Sequence, residues 1–295
     1  MSFKLSLILT FFKKIGKYKY KYLLENQRQE GENIRRYFYP DILDMDYELE
    51  LKRFRPVIKT LENIILLGKK VVLKGEENFV KSGPNIIVGN HAGSFKDIAV
   101  LFKIIPRHVI FTANKKIFDK DELDYLIRDY LKNNIKNLGV LLDFFLRPIK
   151  IPLVYYISSN ISKIGTIPVD LSSKRRTAIG KCEENLKMGR AIVLLQGKGL
   201  VKENTSNPFI STFKRGPSII SYNLYKREGI VVPVTPVAIL GAQKPFLTPG
   251  KVKVNIGKPM KILDYIEDGF IQSVDRFKIA LESQVRSLLV ELIRP

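Results

Sequence analysis

Acidic residues, cysteine and histidine are all scarce in this chain, and each scarcity excludes something. Only 29 Asp and Glu stand against 50 Lys and Arg in 295 residues, a formal charge of +21. So cationic a surface seeks polyanions: nucleic acid, an anionic membrane face or phosphorylated small molecules. The single cysteine, Cys182, excludes an internal disulfide framework and a Cys-based zinc site, which fits a reducing compartment. It shares a helical apolar face with Ile179 and Leu186, so it reads as packing. Two histidines, His91 and His108, leave little scope for metal chemistry. A bilayer-spanning helix needs roughly 18 apolar residues without charge, and no run reaches that. The longest uncharged run, Gly229 to Gln243, holds Pro233 and Pro236 and reads as strand and loop. Internal repeats and low-complexity tracts are also lacking. What is present is 45% hydrophobic residues, enough for a sizeable core.

The chain divides by character into a basic, helical N-terminal region, residues 1–70, and an α/β region, residues 71–295. Near the start Leu5, Ile8, Leu9, Phe12 and Ile15 recur at helical spacing, followed by Lys13, Lys14, Lys17, Lys19 and Lys21. No small-residue cleavage site follows, which argues against a signal peptide. An apolar stripe flanked by lysines suits a helix lying in an anionic membrane interface, at about 1 kcal/mol per lysine near the surface. A helix packed on the domain and a nucleic-acid-binding arm are the other readings of the same segment. The expected location is peripheral or monotopic, on a cytoplasmic membrane face. From Val71 onward, short β-type runs alternate with helical patterns, which predicts an α/β fold with a parallel or mixed sheet. The runs are Val71–Leu73, Asn85–Val88, Val109–Thr112, Thr166–Val169, Ala191–Leu195, Ile230–Ile239 and Val252–Ile256.

One junction carries candidate chemistry. Residues 85–97 read as a buried strand, a turn and a helix start, with Asn90-His91 at the strand end and Ser94-x-x-Asp97 after it. Ser94 is expected to cap the helix and Asp97 to sit in its first turn, as in a capping box. A histidine at a strand end beside a helix N-terminus lies at the rim where α/β folds place ligands.

Here the chain resembles the glycerolipid acyltransferases, which carry Asn-His-x-Ser-x-x-Asp at this junction. The similarity extends to Gly75-Glu76-Glu77-Asn78, Gly165 to Asp170, Phe213-Lys214-Arg215-Gly216, Val232 to Ala238 and Val252 to Pro259, in the family's order. It covers roughly residues 70–292. The resemblance implies a mixed sheet flanked by helices and preceded by the helical N-terminal region. It also implies an O-acyltransferase that moves a fatty acyl group from a thioester donor, acyl-CoA or acyl carrier protein, to a hydroxyl acceptor. The acceptor class is a glycerol-phosphate or lysophospholipid. His91 would be the general base and Asp97 the residue that orients it, with Asn90, Ser94, Gln196, Gly197, Lys198, Lys174 and Arg175 around the substrate. Neither metal nor redox cofactor is required, the acyl carrier being a co-substrate. Nucleic acid is set aside, because finger spacing, an aromatic RNA-binding motif and a recognition-helix signature are all missing.

Two departures bear on activity. Five residues separate His91 from Asp97 where the family has four, and the extra one falls in Ala92-Gly93. Gly93 in left-handed torsions is expected to absorb it. The family's Phe-Pro-Glu-Gly-Thr-Arg-Ser reads here Leu194-Leu195-Gln196-Gly197-Lys198-Gly199-Leu200, so its phosphate-gripping arginine is missing. Leu171 likewise stands where another arginine is common. Lys198 and the Lys174-Arg175-Arg176 cluster are the substitutes the sequence offers. A catalytically impaired member of the same fold that binds lipid at a membrane is the alternative function.

Overall fold

The computed structural model describes residues 47–134, 139–170, 175–197, 208–245 and 248–294. They form two compact units. One holds residues 47–60 and Lys115–Ile164; the other holds Leu61–Asn114 and residues 165–294. The amphipathic segment Leu5–Ile15 lies outside the described residues.

The larger unit is a seven-stranded sheet flanked by helices. Its strands are β1 (Lys69–Lys74), β2 (Asn85–Asn90), β3 (Val109–Asn114), β4 (Ile167–Val169), β5 (Ala191–Gln196), β6 (Val234–Leu240) and β7 (Gly250–Ile256). Their order is β1-β7-β6-β2-β5-β3-β4. Every pairing is parallel except β6 with β7. Among the described residues, the two units together hold the helices α1 (Tyr47–Ile65), α2 (Phe95–Ile104), α3 (Lys120–Asn134), α4 (Gly139–Asn160), α5 (Arg175–Lys187), α6 (Gly216–Glu228) and α7 (Phe270–Ile293). The α/β expectation therefore holds, with a mixed sheet. Central strand β2 is buried at all six positions, as its unbroken Ile-Ile-Val run demands of a strand covered on both faces. Leu101, Val193, Val237 and Val254 belong to one apolar cluster from α2 and the central strands. The Val274, Phe277, Leu281 and Leu288 stripe of α7 is likewise buried. Cys182 is buried as packing, and burial, with Glu183 second, pushes its thiol up to about 12.

Strand directions place the chemistry. β2 and β6 run parallel and end together, so the chain re-enters β7 at the His91 end of the sheet. β1 pairs Lys69 with Gly250 and therefore starts at that same end. The smaller unit contains the α3–α4 hairpin, which the sequence reading did not single out.

Candidate active site

Asn90 closes β2 and is fully buried. Its amide nitrogen donates to the carbonyls of Ile239 (2.9 Å) and Phe209 (3.2 Å), and its oxygen accepts the Ile239 N–H (2.8 Å). The carboxamide thus clamps the strand end to β6, which fixes where the next residue emerges.

That residue is His91, with a side chain one-fifth exposed. Its Nδ1 lies 2.9 Å from Oδ2 of Asp97, which is nearly fully buried. The same carboxylate oxygen accepts the Gly93 N–H at 2.7 Å. A carboxylate only accepts, so the hydrogen sits on Nδ1 and the Nε2 lone pair is left to act as a base. Nε2 has no hydrogen-bond partner among the described residues. Five intervening residues therefore still close the histidine–aspartate contact.

The turn achieves this differently from expectation. Gly93 has no positive φ; Ser94 does, at φ 56 and ψ −135. The Lys96 N–H donates to the Gly93 carbonyl at 3.1 Å, which with those torsions resembles a type II′ turn. Ser94 consequently makes no side-chain cap bond, contrary to the expected capping box. Space is the reason. A Cβ on Gly93 would lie 2.5 Å from Asp97 Oδ1 and 2.6 Å from Ala242 Cβ. Glycine is needed there for close approach, and the positive φ passes to its neighbour.

β5 supplies the other wall. The register sets Gln196 beside Asn90, and a Cβ on Gly197 would lie 2.8 Å from the His91 carbonyl oxygen. Gln196 is buried; its Oε1 accepts the Lys214 N–H at 2.8 Å and its Nε2 donates to the Leu194 carbonyl at 3.3 Å. It organises the Phe213–Gly216 segment, where Arg215 forks onto Asp275 with two bonds of 2.6 Å. His91, Asp97, Ser94, Asn90, Gln196 and Gly197 thus converge on one rim. Arg175 opens α5, while Lys174 and Lys198 lie outside the described residues.

The Gly75–Asn78 block belongs to the opposite end. Asn78 Nδ2 donates to the Ile256 carbonyl at 2.8 Å, and a Cβ on Gly75 would fall 2.1 Å from that oxygen. It is a fold clamp, next to a cavity of about 510 Å³ lined by Lys74, Asn255, Lys258 and Tyr265. That cavity sits at the C-terminal ends of β1 and β7, away from His91, so its size does not make it the reaction site. Among the described residues no cluster of His, Cys, Asp or Glu could hold a metal ion. The sequence reading did not single out Lys69, Lys96 and Lys244, of which the first two donate to the loop carrying the third, on the His91 side of the sheet. The one available signal was a lysine, Lys96, immediately before Asp97 at the start of an apolar helix.

No family model and no curated protein matches this chain. Among solved structures, the 1-acyl-sn-glycerophosphate (LPA) acyltransferase PlsC from Thermotoga maritima aligns with 99% of this chain and 97% of its own, at a TM-score of 0.52 and 19% identity. The chain has an acyltransferase-like fold. At that identity the likeness concerns architecture: the mixed sheet and its flanking helices.

Proposed function

We propose that the protein is an O-acyltransferase acting on a glycerol-phosphate or lysophospholipid hydroxyl. The observation that carries this reading is the His91–Asp97 pair at the strand rim, with Nδ1 turned to the carboxylate and Nε2 open. In the reaction His91 Nε2 takes the acceptor hydroxyl proton as the oxygen attacks the thioester carbonyl carbon. The C–O bond forms, the tetrahedral intermediate collapses and the C–S bond breaks. The departing thiolate receives the proton from the imidazolium. Asp97 stabilises that imidazolium and keeps the ring in the productive tautomer. A positioned histidine base contributes typically 10²–10⁴-fold. The thioester donor is acyl-CoA or acyl carrier protein, and the charge of +21 favours approach of either anionic carrier.

We further infer that the protein works at a membrane surface. On α4, Phe144, Pro148, Ile151 and Tyr155 recur at helical spacing and are all exposed, with Phe145 beside them. Among the described residues no helix is long and apolar enough to cross a bilayer, so the contact would be interfacial.

The test is acyl transfer by purified protein over a panel of hydroxyl acceptors with both carriers. His91→Ala is expected to lose at least 10²-fold in rate with the fold intact. Equal turnover by wild type and His91→Ala would refute the mechanism. No turnover with any acceptor, alongside retained vesicle binding, would favour a lipid-binding role instead.

A further inference from the structure

We propose that Lys69, Lys96 and Lys244 form a binding site for a phosphate group at the His91 end of the sheet. The inference leans on the acyl-transfer reading only to identify the molecule that carries the phosphate.

Lys96 is the anchor. It is 2% exposed, on the first turn of α2 beside Asp97. Its Nζ donates to the Lys244 carbonyl at 2.6 Å and has no other hydrogen-bond acceptor among the described residues. An ammonium has three hydrogens, so two remain unused in a place where water has little access. Among the described residues, no carboxylate lies within ion-pair distance of Lys96, Lys69 or Lys244. A buried charge in that condition is costly, and a bound anion would compensate it.

Lys69 reaches the same loop from β1, and Lys244 belongs to it. Lys69, half-buried at the start of β1, donates to the Pro245 carbonyl at 3.2 Å. Lys69 pairs in register with Gly250, and a Cβ on Gly250 would lie 3.8 Å from the Lys244 Nζ. The loop carrying Lys244 is itself seated on the catalytic turn, since Ala242 is the residue that a Cβ on Gly93 would strike. Burial, and then Lys69, hold the Lys96 ammonium below the ordinary lysine range; burial and then Lys244 do the same for Lys69. Lys96 and Lys69 therefore each feel another lysine's charge. Three ammonium groups from a strand, a helix and a loop suit a tetrahedral, multiply charged acceptor such as a phosphate.

Two substrates could bring the phosphate: a glycerol-phosphate acceptor or coenzyme A. Calorimetric titration of the full chain with glycerol 3-phosphate and with coenzyme A separates them. Glycerol and pantetheine serve as phosphate-free counterparts. Wild type is expected to bind at least one phosphate compound, and Lys69→Ala/Lys244→Ala to weaken it by tenfold or more. The compound that loses affinity names the source. Lys96→Met is expected to weaken the same compound while leaving the melting temperature unchanged or higher, because burial and the neighbouring Lys69 outweigh the attraction of Asp97 for that charge. Affinity within twofold of wild type for both phosphate compounds in the double variant would overturn the site, as would failure of wild type to bind either. The two readings fail separately. Lysine-dependent phosphate binding without any turnover would sink the transferase and keep the site. Turnover with lysine-independent affinity and KM would do the reverse.

Discussion

The α3–α4 hairpin and the α/β unit both bury charge, but they handle it in opposite ways. In the hairpin, Lys150 is 5% exposed and its ammonium meets Asp124 at 2.7 Å and Asp143 at 2.5 Å. Arg128 closes the group with a 2.7 Å bond to Asp124. Charge faces inward while Phe144, Phe145, Ile151 and Tyr155 face outward. In the α/β unit the core is apolar, and buried charge collects at one end of the sheet, in Asp97 and Lys96. Those two are not closed on each other: Asp97 turns to a histidine and a backbone N–H, and Lys96 to one carbonyl. A cluster that satisfies itself holds structure. A cluster with bonding capacity left over is equipped for a ligand.

The largest effect that would sharpen this contrast lies in the hairpin. Lys150→Ala strands two carboxylates beside each other and is expected to cost about 3 kcal/mol in the smaller unit, typical for removing one partner of a buried pair. Burial pushes the Asp124 carboxyl up, but hydrogen bonds from Lys150 and Arg128 outweigh it and hold the group below its ordinary value. A depressed carboxyl contributes stability that is complete above its unfolded pKa, near 4, and lost as pH falls through the folded value. Hydrogen exchange of 120–160 is therefore expected to accelerate below about pH 4, and in Lys150→Ala already at neutral pH. Unchanged protection in both cases would mean that the ion cluster does not hold the hairpin.

On the α/β side, Gly93→Ala tests the opposite use of charge. The added Cβ pushes on Asp97 Oδ1 and Ala242, so the carboxylate leaves its place against His91. Overpacking of this kind costs roughly 1–3 kcal/mol. A 1 Å misplacement of a catalytic contact can cost about 10²-fold in rate, so turnover is expected to fall well beyond the loss of stability. Deleting Gly93 would restore the family spacing but also remove the N–H that Asp97 accepts. A variant with full turnover and an unshifted melt would show that the dyad does not depend on this close approach.

Much of the α/β unit was legible because its signals are local. Apolar runs such as Asn85–Val88 and Ala191–Leu195 became β2 and β5, and the Val274–Leu292 stripe became the buried face of α7. Ile230–Ile239 shortened at its start, since β6 begins only at Val234. The hairpin was less legible for physical reasons. α4 contains Pro148 and Pro152, which normally argue against a helix, and its outward face is apolar, against the usual pattern. At the site, His91 and Asp97 could be paired by motif alone. The Lys69–Lys96–Lys244 grouping could not, because a long-range register joins positions far apart in the chain. The Gly75–Asn78 block, which carried part of the resemblance, locks β7 at the other end of the sheet.

The smallest expected effect concerns the turn where structure and chemistry meet. Ser94 carries a positive φ that glycine adopts readily and serine does not, at a cost of order 1–3 kcal/mol. Such strain persists only where the surroundings impose it, and here Gly93 is already committed to close packing. Ser94→Gly relieves it, so thermal stability is expected to rise by about 1 kcal/mol, less the entropy that glycine loses on folding. The hydroxyl has no hydrogen-bond partner among the described residues, so its removal breaks no bond within the fold. A ligand-binding role for Ser94 would appear as a raised KM in a more stable protein. Gly93→Ala, by contrast, is expected to lower stability and turnover together. Parallel melting and steady-state measurements on the two variants therefore separate strain from function within two adjacent residues. A rise in stability with KM unchanged would leave Ser94 a strained turn residue and remove it from the substrate site.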